Sequence, residues 1–80
     1  MNATVTNRED FIKFAEQLRQ NYFDNPENWE NKTIEDFLYA ISSYTEDIQG
    51  YYDNMKIKKD ANKADWQVFA DIIKGATIYE

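Results

Sequence analysis

The stretch that decides the fold is residues 33–52, TIEDFLYAISSYTEDIQGYY. Thr33 and Asp36 stand at the spacing of a capping box, which predicts a helix that begins at Thr33. Apolar side chains then recur every three or four residues and therefore share one helix face: Ile34, Phe37, Leu38, Ile41, Tyr44, Ile48 and either Tyr51 or Tyr52. Gly50 predicts the end of this helix, because glycine is favoured just beyond helix C-termini.

The segment before this helix predicts another. Asn7 is suited to cap it, and its apolar face is Phe11, Phe14, Ala15, Leu18 and Tyr22. It should end before Pro26, because proline disfavours the α conformation in the preceding residue. Pro26 then opens a short turn that holds Trp29.

The segment after it predicts a third helix. A loop over residues 53–62 leads to a start between Asn62 and Asp65, and the main apolar stripe is Trp66, Phe69, Ala70 and Ile73. Gly75 either ends this helix or only weakens it. The predicted fold class is therefore all-α: a single domain over residues 1–80 with a small arrangement of three antiparallel amphipathic helices. Phe37 and Trp66, in the strongest stripes, are expected to be largely buried.

Composition excludes several kinds of function. The 80 residues include neither cysteine nor histidine, which removes a nucleophilic thiol, thiolate metal sites and the commonest general base. We expect no catalytic residue, no cofactor and no metal, and predict that the protein is not an enzyme. A formal net charge of −6 disfavours nucleic acid and anionic membranes as partners. Residues 1–5 lack the pattern of a signal peptide, so a cytoplasmic location is expected.

Several motifs along the chain look familiar in combination. They are Asn7-Arg8-Glu9-Asp10-Phe11, Trp29, Thr33-Ile34-Glu35-Asp36-Phe37-Leu38-Tyr39-Ala40, Gly50-Tyr51-Tyr52-Asp53-Asn54, Trp66-Gln67-Val68-Phe69-Ala70 and Ala76-Thr77-Ile78-Tyr79-Glu80. Together they resemble a family of small bacterial proteins, domain of unknown function 7660, over nearly the whole chain. The resemblance implies a bacterial, cytoplasmic, stand-alone domain. It implies no activity and transfers no functional residue.

Charge asymmetry points to a protein partner. Residues 1–50 hold ten acidic and four basic residues, whereas residues 51–80 hold five of each. Such a distribution would steer a basic protein, as an immunity-type or inhibitor protein requires. The candidate contact residues in this half are Glu27, Glu30, Glu35 and Tyr39.

The two tyrosines after Gly50 have two interpretations. Either the segment is a helix cap in which one tyrosine closes the core, or Tyr51 and Tyr52 line a surface groove for a partner segment. The alternative function, a small-molecule-binding or regulatory domain, uses both tyrosines with Trp29 and Trp66 as the lining of a pocket.

Val68, Ile72 and Tyr79 form a second stripe on the third helix, roughly 140° from the first. In a compact three-helix protein this stripe is buried, because the helix is covered on two sides. If it is exposed, it marks an interface with another protein or with a second copy in a homodimer.

Overall fold

A computed structural model describes residues 4–79 and contains three α-helices. They are α1 (Arg8–Asp24), α2 (Ile34–Asn54) and α3 (Trp66–Ala76), with a short 3-10 helix (Pro26–Asn28) between the first two. The small all-α three-helix arrangement is therefore confirmed. Residues 1–3, where the sequence predicts no signal peptide, and Glu80 lie outside the described residues. Between residues 4 and 79, none of the helices combines the length and the apolarity needed to cross a membrane.

Each helix begins at a side-chain cap. The Asp10 amide donates to Asn7 Oδ1 at 2.8 Å, and the Asp36 amide donates to Thr33 Oγ1 at 3.0 Å, so both predicted starts are confirmed. Asp65 caps α3 by accepting from the amides of Gln67 and Val68. A hydrogen bond from the Lys59 ammonium, together with these amide bonds, lowers the pKa of Asp65. Each cap satisfies amides that have no partner within the helix and contributes about 1 kcal/mol.

The predicted end of α2 at Gly50 is wrong, because the helix continues to Asn54. It stops in a Schellman motif, in which the Lys56 amide donates to the Asp53 carbonyl and the Ile57 amide donates to the Tyr52 carbonyl at 2.8 Å. Lys56 has a φ of 57°, in the left-handed region that glycine adopts most easily. Burial of the Tyr52 side chain stabilises the helix beyond Gly50 by more than the low helix propensity of glycine destabilises it, so the turn up to Asn54 forms.

The core has two parts, one on each side of α3. Ala70 and Ile73 pack with Phe14 and Leu18 of α1 and with Val5, which precedes that helix. On the other side, the cluster is made by Val68 and Ile72 with Tyr44, Ile48 and Tyr52 of α2 and Ala61. Each predicted stripe of α3 therefore has covered members, but Trp66 and Phe69 of the main stripe remain exposed. Gly75 lies inside α3, which continues to Ala76, so this glycine does not end the helix.

Trp29 fills the gap between α1 and α2, which do not approach each other directly. Within the described chain, no Cα of α1 lies within 8 Å of a Cα of α2. The Trp29 ring instead contacts Tyr22 of α1 at 4.9 Å and Phe37 of α2 at 5.9 Å between centroids. Its indole N–H donates to Asn21 Oδ1 at 2.9 Å. This open side leaves part of α2 without cover.

Several predicted core positions are consequently exposed. Ile34 and Leu38 of α2 are 80% and 59% exposed, because no helix packs on that part of α2. Ala15 also faces solvent, and its place in the predicted face of α1 is wrong. Trp66 is 37% exposed in the first turn of α3, where its ring contacts those of Phe11 and Phe69. Phe37 is half-buried under Trp29.

Candidate protein-binding surface

The uncovered part of α2 forms one continuous surface, which we call the acidic arc. At 100° per residue its seven exposed members fall within about 140° around the helix axis. They are Ile34, Glu35, Leu38, Tyr39, Ser42, Thr45 and Glu46. Because these residues share one face of the helix over three turns, they form a continuous surface that another protein can contact.

Apolar side chains occupy both edges of the acidic arc. Ile34 and Leu38 lie one turn apart and form one edge, while Tyr39, 74% exposed, forms the other. A single exposed isoleucine or tyrosine is ordinary on a protein surface. Three large apolar side chains within six residues are less ordinary, because contiguous apolar area on a surface is typical of interaction sites.

All the charged residues of α2 itself are acidic, and Lys32 is exposed just before its Thr33 cap. The 21 residues of α2 include no Lys or Arg, whereas the acids are Glu35, Asp36, Glu46, Asp47 and Asp53. The ion pairs Arg8–Glu9 and Lys59–Asp65 lie outside α2. The negative potential along α2 is therefore not offset by cations on the helix itself, and it favours a positively charged partner.

Of the four predicted contact residues in the acidic half, two lie on this surface and two precede α2. Glu35 and Tyr39 belong to the acidic arc. Glu30 is exposed just before α2 begins, where its amide donates to the Thr77 carbonyl at 3.0 Å. Glu27 is exposed on the 3-10 helix. All four side chains face solvent, so they remain candidates for contact with a partner.

Tyr52 is a core residue, and its assignment to an interface is wrong. Its ring is fully buried, and its hydroxyl donates to Asp71 Oδ2 at 2.7 Å. Burial of the side chain raises the pKa of Tyr52, and the hydrogen bond to the Asp71 carboxylate raises it further. Asp71 also accepts from Gln67 Nε2 at 2.9 Å, so a polar chain crosses from α2 to α3. Tyr51 beside it is 43% exposed, so one tyrosine closes the core and the two rings do not line a common groove, although the helix end lies at Asn54 rather than at Gly50.

The second stripe of α3 is not a free surface. Val68 is 3% exposed and Ile72 is half-buried, because both pack against α2. Tyr79 is half-buried, with its ring 5.0 Å from that of Tyr44 and its hydroxyl donating to Asp47. That hydrogen bond raises the pKa of Tyr79. The assignment of Val68 and Ile72 to a partner interface is wrong, since neighbours within the chain already cover them.

The four aromatic residues of the pocket alternative lie in separate groups. Among residues 4–79, no ring contact joins Trp29, Trp66 and the Tyr51–Tyr52 pair to one another. A surface hollow of about 360 Å³ borders Trp66, and the rest of its lining is Thr4, Val5, Thr6, Lys59, Ala64, Asp65 and Gln67. This hollow therefore contains one of the four predicted residues rather than a shared aromatic wall.

Asn31 is a positioning residue that the sequence did not indicate. Its Nδ2 donates to the Ala76 carbonyl at 2.8 Å and to the Tyr79 carbonyl at 2.7 Å. The amide of Asn31 also donates to the Thr77 carbonyl. These bonds cap the end of α3 and fix the segment that leads into α2. The contacts span more than forty residues of chain, so no local pattern marks them.

The comparison with known proteins gives a family and no function. No curated protein and no solved structure gives a significant match to this chain. Residues 7–80 match the family of unknown function DUF7660, as the motifs predicted. This range takes in all three helices and the acidic arc. The chain therefore belongs to the DUF7660 family.

Proposed function

We propose that the chain is a non-enzymatic protein-interaction module whose acidic arc binds a basic protein. One observation carries this proposal: Ile34, Leu38 and Tyr39 are exposed beside Glu35 and Glu46 on a helix that has no positive charge. Apolar side chains on such a surface supply affinity when a partner buries them. The surrounding carboxylates supply attraction over distance and select a partner of opposite charge.

The energies are sufficient for a specific contact. Complete burial of an isoleucine, leucine or tyrosine removes its apolar area from water and contributes about 1.5–3 kcal/mol. Part of this gain offsets the entropy lost on association, so the apolar edges alone support modest affinity. The acidic residues act chiefly on the association rate, which rises when charges on the two partners are opposite.

The finer proposal is an immunity-type or inhibitor protein of a bacterial cytoplasm. A toxin or an enzyme that acts on nucleic acid usually presents a basic surface, because its substrate is a polyanion. An acidic arc with apolar edges is complementary to such a surface. The same complementarity explains why nucleic acid and anionic membranes are not proposed as partners.

Capture experiments test the proposal with a matched control. Ile34→Ser/Leu38→Ser removes one apolar edge of the acidic arc, whereas Phe23→Ser removes a side chain that is also 80% exposed but lies on α1. We expect the parent and the Phe23 variant to recover the same basic protein from the native host, and the double variant to recover little of it. Equal recovery by all three chains, or recovery of no specific protein, would contradict the proposal.

Association kinetics with the recovered partner test the electrostatic part. Replacement of Glu27, Glu30 and Glu35 by lysine should slow association several-fold and flatten its dependence on salt. Folding should change little, because exposed charges of this kind typically contribute within about 0.5 kcal/mol. An unchanged association rate in low salt would show that these carboxylates do not steer the partner.

A further inference from the structure

We infer that the partner element that occupies the acidic arc is a cationic amphipathic helix. This inference rests on the proposed function and specifies the chemistry of what binds there. It follows from the shape of the arc, from its backbone hydrogen bonding and from the order of apolar and acidic side chains along it.

The arc is straight and long, and it offers no backbone groups. From Ile34 to Glu46 it extends about 18 Å along α2, at about 1.5 Å per residue. Its amides and carbonyls belong to the interior of a helix, and residues 4–79 include no strand whose edge could pair with an extended peptide. Recognition by strand addition is therefore excluded for this surface, and side chains must do the binding. A second helix lying along α2 presents side chains over the same length.

The order of side chains defines the occupant. Ile34 and Leu38 are spaced as i and i+4, so they form a ridge that fits between apolar side chains of the same spacing on a facing helix. Glu35 and Glu46 are about 16 Å apart along the axis of α2. Lys or Arg residues about three turns apart on a bound helix would lie opposite these two carboxylates. Tyr39 on the far edge offers a ring face to one of these cations.

A second copy of this chain is a poorer occupant. Two α2 helices packed through their acidic arcs would bring Glu35 and Glu46 of each copy close to acids of the other, with no cation on either helix. Like charges placed together oppose association. The charge thus favours a foreign, positively charged helix over a homodimer on this face.

Two synthetic peptides of identical leucine and lysine content test the inference. One places leucine at helical period, and the other alternates leucine with lysine and forms an amphipathic strand. Titration calorimetry with the full chain should show at least ten-fold tighter binding of the helical peptide. Circular dichroism should show helix induced on mixing. Ile34→Ser/Leu38→Ser should weaken this binding at least ten-fold, and Phe23→Ser should leave it unchanged.

Equal affinity for the two peptides, or equal weakening by the Phe23 and Ile34/Leu38 variants, would overturn the inference. Concentration-dependent dimerisation of the parent that the Ile34/Leu38 variant abolishes would also overturn it, because a second copy would then be the occupant. If neither peptide binds but host-partner capture still requires Ile34 and Leu38, the inference fails while the proposed function stands. If capture is also indifferent to these residues, both fail.

Discussion

The two glycines of this chain lie on helices in opposite surroundings, and alanine at each should change stability in opposite directions. Gly50 faces solvent, and a Cβ added there meets no atom within 4 Å. A Cβ added at Gly75 would lie 2.6 Å from both Cδ2 and Cζ of Tyr44 and closer still to Cε2. Carbon atoms in contact normally lie about 3.5–4.0 Å apart. Gly50→Ala therefore has room, whereas Gly75→Ala requires the Tyr44 ring to move.

The expected magnitudes follow from two opposed effects. Alanine is favoured over glycine inside a helix by about 0.5–1 kcal/mol, which is the gain expected for Gly50→Ala. Gly75→Ala receives the same gain but also overpacks the contact between α3 and α2, at a cost of about 1–3 kcal/mol or more. The Tyr44 ring cannot simply swing away, because the Tyr79 ring lies 5.0 Å from it. We expect a net loss of about 1–2 kcal/mol.

Thermal and urea melts followed by far-ultraviolet circular dichroism measure both changes. The two variants should differ by about 1.5–3 kcal/mol, or on the order of 6–24 °C in Tm for a domain of this size. In a Tyr44→Ala background the ring is gone, and Gly75→Ala should then be neutral or stabilising. A Gly75→Ala variant as stable as the parent would show that α3 does not approach α2 at Tyr44, and the described packing would be wrong.

Three further changes test other contacts, each by urea unfolding. Lys56→Gly should raise stability by about 1 kcal/mol, because the left-handed cap of α2 is strained for any other residue, and Lys56→Ala should bring no gain. Asn31→Ala should cost about 1–3 kcal/mol by leaving two carbonyls without donors, and Asn31→Asp should not restore them, because a carboxylate cannot donate. Tyr52→Phe should cost about 1–2 kcal/mol at neutral pH. Folding raises the pKa of Tyr52, so the stabilisation from its hydroxyl is complete below about pH 10 and is lost as the pH rises towards the folded pKa. Above about pH 10 the parent should therefore lose stability more steeply than Tyr52→Phe. Parallel curves would contradict that assignment.

The starts of the helices were predictable because their causes are local. Asn7 and Thr33 accept hydrogen bonds from amides three residues ahead, and the restriction that Pro26 imposes acts on the residue before it. The end of α2 was not predictable in this way. Gly50 is a local signal for a stop, but burial of Tyr52 depends on α3. Lys56 adopts a left-handed conformation that its residue type does not favour.

The same limit explains why the sequence predicts Ile34 and Leu38 in the buried face of α2. Ile34 and Tyr52 are eighteen residues apart, which is five full helical turns, so they have the same direction from the axis of α2. Tyr52 is fully buried, while Ile34 is 80% exposed. The difference comes from α3, which packs on Tyr52, and from the loop after α2. Gln49 Nε2 donates to the Lys59 carbonyl and Gln49 Oε1 accepts from the Ala61 amide, and these bonds hold the loop over the second half of the helix.

The periodicity of α2 thus specifies a single apolar face for the whole helix, and the fold covers only part of it. Over the second half, α3 and the loop pack on this face and leave Ile48 and Tyr52 dry. Over the first half, the same face continues as Ile34 and Leu38, which residues 4–79 leave exposed. Burial of these two side chains would contribute several kcal/mol of hydrophobic free energy, which the exposed side chains do not contribute. An exposed apolar face that is continuous with the core and bordered only by acids on its own helix supports the proposal that a basic protein binds there.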